Sequence, residues 1–295
     1  MGKTYTVEEA TFDSFKGIDI ALFAGGSISK DFAPHAVKAG AVVIDNSSAF
    51  RMDPEVPLVV PEVNPQAILK HKGIIANPNC STIIMVMALK PIYDLAKIKR
   101  VIVSTYQAVS GAGKEGIDEL DAQVRDHSEG REMTANILPS ASAEKHYPIA
   151  FNLIPQIDVF CDNLYTKEEM KMVNETKKIM EDYEMRITAT TIRVPVYRSH
   201  SESVNIELEK EVDLGAMREA LAKFPGVTVQ DDPSKQEYPM PLYTSEKDDV
   251  YVGRLRRDES CEKSYNIWVV GDQIRKGAAL NTLQIAETMI KNGWI

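Results

Sequence analysis

Short apolar runs alternate with stretches of helical periodicity through the first third of the chain. Residues 18–23, 41–44, 58–63 and 73–76 read as strands, and 30–39 and 66–72 as amphipathic helices. Strand and helix in alternation predict a parallel, doubly wound sheet of the α/β class, whose turns at the carboxyl ends of the strands carry function. Here those turns are 24–27, 45–48, 61–64 and 77–82. The rhythm then changes. A strand over 101–109 runs into the turn Ser110-Gly111-Ala112-Gly113, where glycine permits close backbone approach to a ligand. Helices follow at 114–125, 166–182 and 215–224, β-rich stretches at 186–210 and 249–256, a strand at 267–270 and an amphipathic helix at 277–291. The middle of the chain therefore reads as a separate α+β domain.

Composition narrows the reading. With 295 residues, 44% of them apolar, the chain can bury the core of two domains or one large one. A balance of 34 basic against 43 acidic residues, a formal charge of -9, argues against nucleic acid or an anionic membrane as partner. No apolar stretch approaches the ~20 residues needed to span a bilayer. The N-terminus lacks the basic and apolar regions of a secretory signal. Met1-Gly2 with Thr6 matches a short myristoylation pattern, but the residues around it read as ordinary globular sequence. The three cysteines are odd in number and widely spaced, which predicts no disulfide framework and a reducing compartment, the cytoplasm. The five histidines show no metal-ligand spacing, so no metal is expected.

The candidate chemistry centres on Cys80, in Asn77-Pro78-Asn79-Cys80-Ser81-Thr82, where a predicted strand ends and a predicted helix begins. Most intracellular cysteines are small core hydrophobes. This one has polar, turn-forming neighbours and sits where unpaired N–H groups and the positive helix end favour a thiolate and a developing oxyanion. A histidine flanked by polar groups, His200 in Ser199-His200-Ser201-Glu202-Ser203, lies far downstream, as a spatially assembled Cys/His pair requires.

Four runs carry a further signal: 59–64 (Val-Val-Pro-Glu-Val-Asn), 77–82, 104–113 (Ser-Thr-Tyr-Gln-Ala-Val-Ser-Gly-Ala-Gly) and 193–203. In this order they closely resemble aspartate-semialdehyde dehydrogenases, over nearly the whole chain. The resemblance implies a Rossmann-like NADP-binding domain made of residues 1–79 and 274–295, and a mixed-sheet catalytic and dimerisation domain over 80–273. It implies reversible conversion of aspartate 4-semialdehyde, phosphate and NADP to aspartyl 4-phosphate and NADPH through a thioester on Cys80, in lysine, threonine and methionine biosynthesis. His200 then matches the general acid/base, a task suited to a group titrating near neutrality. Gln107 and Asn79 match substrate-positioning residues, Arg193 the clamp on the substrate carboxylate, and Glu168 the contact to its amino group. Lys171 and Arg51 match the phosphate ligands. Ser110, Gly111, Gln273, Ala24 and Gly25 match or could face the cofactor. A homodimer is implied as well.

One departure qualifies the resemblance. No G-x-G-x-x-G pattern or relative precedes Gly25, and the family's first strand, glycine-rich turn and basic readers of the 2′-phosphate are missing. The first domain is therefore expected to be incomplete at its N-terminus, with acylation of Cys80 retained and NADP(H) bound weakly. Two rivals stand beside the main reading. N-acetyl-glutamyl-phosphate reductase shares the cysteine logic, though Glu168, Lys171 and the serine-flanked His200 favour the aspartate enzyme. The other is a cofactor-deficient chain that only accepts an acyl group or forms dimers.

Overall fold

The computed structural model describes residues 3–295, so the Met1-Gly2 start of the short lipidation pattern lies outside the described residues. Strands β1 (Ile20–Phe23), β2 (Val42–Asp45) and β3 (Ile74–Ala76) form a parallel sheet in that order. Helix α1 (Ser29–Lys38) connects β1 to β2 and packs Ala33 and Ala36 against Ala21 and Val43. Small side chains let this helix lie close to its sheet.

Helix α2 (Cys80–Leu95) leaves β3 and is buried without interruption from Ser81 to Leu89. A helix apolar on every side belongs in a core. One cluster joins its Ile83, Ile84, Met87 and Leu89 to Leu58 and Ala76 near the first sheet and to Val103, Val204 and Ile267 on the second. That second sheet is mixed. It contains β4 (Ile98–Gln107), β5 (Arg186–Arg193), β6 (His200–Leu208), β7 (Val227–Val229), β8 (Val250–Arg257) and β9 (Ser264–Gly271), in the order β5-β4-β6-β9-β8-β7. The β4/β5 and β7/β8 pairs are parallel and the other three antiparallel. Helices α3 (Lys114–Ser128), α4 (Lys167–Met180), α5 (Leu214–Lys223) and the short α6 (Pro241–Thr244) lie between these strands in the chain. After β9 a π-helical turn, Arg275–Ala279, leads into α7 (Leu280–Lys291), which returns to the first sheet. There Ile285 and Met289 pack with Ile44, Val59, Ile68 and Ile75.

The predicted architecture of a parallel sheet plus a mixed sheet is present. Two predicted elements differ. The run 58–63 forms no strand beyond a single bridge from Leu58 to Ala76. Pro57 and Pro61 bring no N–H, and the Asn64 side chain takes the ladder's other partners, accepting from the Val60 N–H and donating to the Leu58 carbonyl, both at 2.9 Å. The predicted helix over 66–72 is a 3-10 turn, Pro65–Lys70.

Candidate active site

The register of the mixed sheet sets functional side chains along one edge. Gln107 ends β4 opposite Arg193, which ends β5, while His200 begins β6 opposite Gly271, which ends β9. Alternation along the strands turns Val103, Val204 and Ile267 toward α2, and Gln107 and His200 share their parity. These side chains therefore project from the face that α2 covers, at the end of the sheet. The glycine in the turn after β4 makes the crowding possible. A Cβ on Gly111 would lie 2.8 Å from the Arg193 guanidinium and 3.4 Å from His200 Nε2. The close backbone approach expected at this turn is thus to the protein's own cation and imidazole.

Cys80 opens α2, and Asn79 caps the helix by accepting the Thr82 N–H at 3.1 Å through its side chain. Pro78, Asn79 and Cys80 line a cleft of about 270 Å³ with Asn46, Arg51, Ser110, Gly111, Gln273 and the turn Ile274, Gly277 and Ala278. The sequence predicts an easily ionised thiol, and the free structure reverses this. Cys80 retains partial exposure, yet burial of its sulfur and then the charge of Glu168 push the pKa up to about 12. Arg51, Arg193 and the Ser81 N–H oppose that rise without cancelling it.

His200 is fully buried. Its Nδ1 accepts the Ala108 N–H at 3.0 Å, which assigns the proton of the neutral ring to Nε2, and Nε2 has no partner. Burial, and then the Arg193 charge, hold its pKa well below the ordinary imidazole value. At neutral pH this residue presents an N–H donor.

The other predicted residues fall into connected groups. Glu168 Oε1 accepts from Asn79 Nδ2 at 2.9 Å and Gln107 Nε2 at 3.4 Å, and Oε2 accepts from Lys171 at 3.1 Å. Burial works against its charge, but Lys171 and the Asn79 amide keep its pKa below the usual carboxylate value. Lys171 also meets Asp158 at 3.0 Å, so an incoming anion must compete with two carboxylates for it. Arg51 donates from Nε to the Asn77 carbonyl, from one terminal nitrogen to Glu175 and from the other to the Asn46 carbonyl. Of its five N–H groups, these bonds leave two for a ligand. Gln273 accepts the Ser199 N–H at 2.9 Å and donates to Ser110, bracing the turn beside the thiol. Ala24 and Gly25 lie apart from this cleft, after β1, but the Asn46 N–H bonds the Phe23 carbonyl and so ties that strand end to the cleft wall.

Several residues have no signal in sequence because their partners are remote in the chain. Glu175 reaches Arg51 and the Asn79 N–H across 124 and 96 positions. Lys276 is buried among Glu62, Asn281 and Gln284, and Asn281 bonds Asn77 and the Val59 carbonyl. A larger hollow, about 480 Å³, lies between residues 54–58 and the end of α4, where Lys70–Glu181 and Lys72–Glu55 are already paired. It contains none of the nucleophilic groups. Among the described residues, no group of three His, Cys, Asp or Glu side chains could hold a metal ion, and no helix is long and apolar enough to cross a membrane.

Comparison with known proteins matches two family descriptions to this chain. They are "Semialdehyde dehydrogenase, NAD binding domain" over residues 1–71 and "Semialdehyde dehydrogenase, dimerisation domain" over 89–276. The aspartate-semialdehyde dehydrogenase of Aquifex aeolicus is 57% identical over 298 residues, covering 100% of this chain and 86% of the relative. That of Bacillus subtilis is 54% identical, covering 98% and 84%. The crystal structure of aspartate semialdehyde dehydrogenase II of Vibrio cholerae complexed with ASA superimposes with a TM-score of 0.89 at 46% identity, covering 97% of this chain and 83% of that one. The matches favour neither rival reading. The expected weakness toward the cofactor is not borne out either, since the NAD-binding description fits residues 1–71.

Proposed function

The chain belongs to the aspartate-semialdehyde dehydrogenase family, and on that premise we propose how its residues carry the reversible phosphorylating oxidation of aspartate 4-semialdehyde. The observation that supports the assignment is the convergence of Cys80 and Arg51 in one cleft with the Gln107, Arg193 and His200 row behind it. Arg193 clamps the substrate carboxylate and Glu168 its ammonium group, while Gln107 and Asn79 orient the aldehyde beside the sulfur. Pairing of the ammonium with Glu168 offsets the negative charge that, after burial, opposes thiol ionisation, so substrate binding favours release of the Cys80 proton to solvent and leaves the thiolate as nucleophile. The sulfur then bonds to the aldehyde carbon, and the carbonyl electron pair moves to oxygen, where the His200 Nε2–H donates to it. In the second half-reaction Arg51 and Lys171 hold a phosphate whose oxygen attacks the thioester carbon, and Cys80 leaves as thiolate.

The residues beside the thiol fit a nicotinamide ring. Gly111, Gly277 and Ala278 bring no long side chain to the cleft, and a Cβ on Gly277 would already lie 3.1 Å from the Cys80 Cβ. Ser110, Gly111 and Gln273 would hold that end and Ala24 and Gly25 the phosphate end, at the carboxyl end of β1. A nicotinamide held there would supply the hydride acceptor, since loss of hydride from the aldehyde adduct gives the thioester. NADP, residues 1–79 with 274–295 as its domain, 80–273 as the catalytic domain and a cytoplasmic location with three free thiols complete the proposal.

The purified chain is expected to reduce NADP in preference to NAD with aspartate semialdehyde and phosphate, and Cys80→Ser to abolish turnover. Faster turnover of N-acetyl-glutamyl semialdehyde would overturn the substrate assignment. The same reading puts self-association on the sheet face away from α2. There Tyr106 and Trp268 lie with ring centroids 5.7 Å apart, beside a groove of about 330 Å³ lined by Ser203, Arg254 and Arg256. Ser203→Arg should therefore shift the sedimentation coefficient toward a monomer.

A further inference from the structure

We propose that helix α4 positions the phosphate ligand Arg51 from two sides, Glu175 fixing its side chain and Lys178 its backbone. The inference rests on the reading of Arg51 and Cys80 given above. Glu168, Lys171, Glu175 and Lys178 follow one another at spacings of three, four and three, so they form a single polar stripe along the helix. The first two face the substrate side and the last two the Arg51 loop.

Glu175 is 1% exposed. Its Oε1 accepts from an Arg51 terminal nitrogen at 3.3 Å, and its Oε2 accepts the Asn79 N–H at 2.6 Å. One carboxylate therefore ties the guanidinium to the backbone immediately before the nucleophile. Lys178 stands one turn further along. Its ammonium donates to the carbonyls of Arg51, Asp53 and Val56 at 2.8, 2.6 and 2.8 Å, which gathers the loop around a single cation. Three carbonyls converging on one ammonium define the path of that loop, and the three bonds spent by the Arg51 side chain define where its remaining N–H groups point. Neither residue lines the Cys80 cleft; Lys178 acts through the Arg51 backbone, and Glu175 through the Arg51 guanidinium and the Asn79 N–H.

Three variants test this in the full chain, with KM for phosphate and for aspartate semialdehyde measured separately. Glu175→Gln replaces an acceptor with an amide whose N–H groups oppose those of Arg51 and Asn79, and Lys178→Met removes the three carbonyl bonds on the less buried side. Lys178→Met is expected to raise KM for phosphate by about tenfold or more while changing KM for the semialdehyde less than about twofold. Glu175→Gln, which also disturbs the acceptor of the Asn79 N–H, is expected to raise KM for phosphate by a clearly larger factor than KM for the semialdehyde. Combined with Arg51→Ala, each should add little to the phosphate defect of the single variant, as expected for residues acting as one unit. Equal changes in both KM values, or additive effects in the double variants, would overturn the inference. An unchanged phosphate KM in Arg51→Ala would instead overturn the ligand assignment itself. If Glu175→Gln does not fold, Glu175→Asp and Lys178→Met carry the same comparison.

Discussion

Cys80 shows how far a residue's local address can mislead. A helix N-terminus favours a thiolate, and the Ser81 N–H does lower the pKa, but burial and the Glu168 carboxylate outweigh it. With a pKa of about 12, roughly one thiol in ten thousand is ionised at pH 8. Iodoacetamide should therefore label the exposed Cys261 well before Cys80 in the free protein, with Cys80 labelling rising about tenfold per pH unit between 7 and 9. Peptide mass spectrometry reads both. Glu168→Gln removes the opposing charge and should speed Cys80 labelling severalfold while raising KM for the semialdehyde. Faster labelling of Cys80 than of Cys261 in the parent chain would contradict the buried, protonated thiol. The residue types and their motif were legible in the sequence, but the sign of the shift was not, because it depends first on burial of the sulfur and then on Glu168, which approaches from another helix.

Among the elements, β6 carries both the most useful and the least satisfied side chains. His200 sits at its start, and Glu202, two residues on and on the same face, is buried with neither carboxyl oxygen partnered. Burial raises the Glu202 pKa well above the ordinary value, so the folded state keeps this proton after the unfolded state has lost it. Folding stability then falls as pH rises above about 4.5 toward the folded pKa. Glu202→Met should raise Tm at pH 8 more than at pH 5, and an equal shift at both values would show that the carboxyl is ionised in the fold. His200 acts on the acid side. Its depressed pKa means that the unfolded state binds the proton first, so stability falls as pH drops below about 6.5.

The strands and helices around this site were readable from alternation and periodicity because each has one consistent face. The run 58–63 was not, since its apolar residues are buried without a ladder between two prolines. Helix α4 was half legible. Glu168 and Lys171 follow a motif, whereas Glu175 and Lys178 acquire meaning only from partners 96 to 127 positions away.

At the scale of the molecule, chain order and spatial order part company. The three-stranded sheet is completed by α7, whose Ile285 is fully buried against Ile44, Ile68 and Ile75. Ile285→Ala should cost about 2–5 kcal/mol, read by chemical denaturation, although residue 285 is more than 200 positions from the strands it covers. A negligible loss would mean that α7 is dispensable to the first sheet. Alternating strands and helices at the start of the chain announce such a sheet, but nothing in them announces that its last layer is supplied from the far end.

The chain returns to that first sheet over Cys80 itself. The π-helical turn brings Gly277 so close that an added methyl group there would press on the carbon bearing the sulfur. A position with no functional group thereby sets the clearance around the reacting atom. Enlarging it by one carbon narrows the thiol's doorway from the side that also fastens the two halves together, so reactivity and assembly are adjusted by the same stitch.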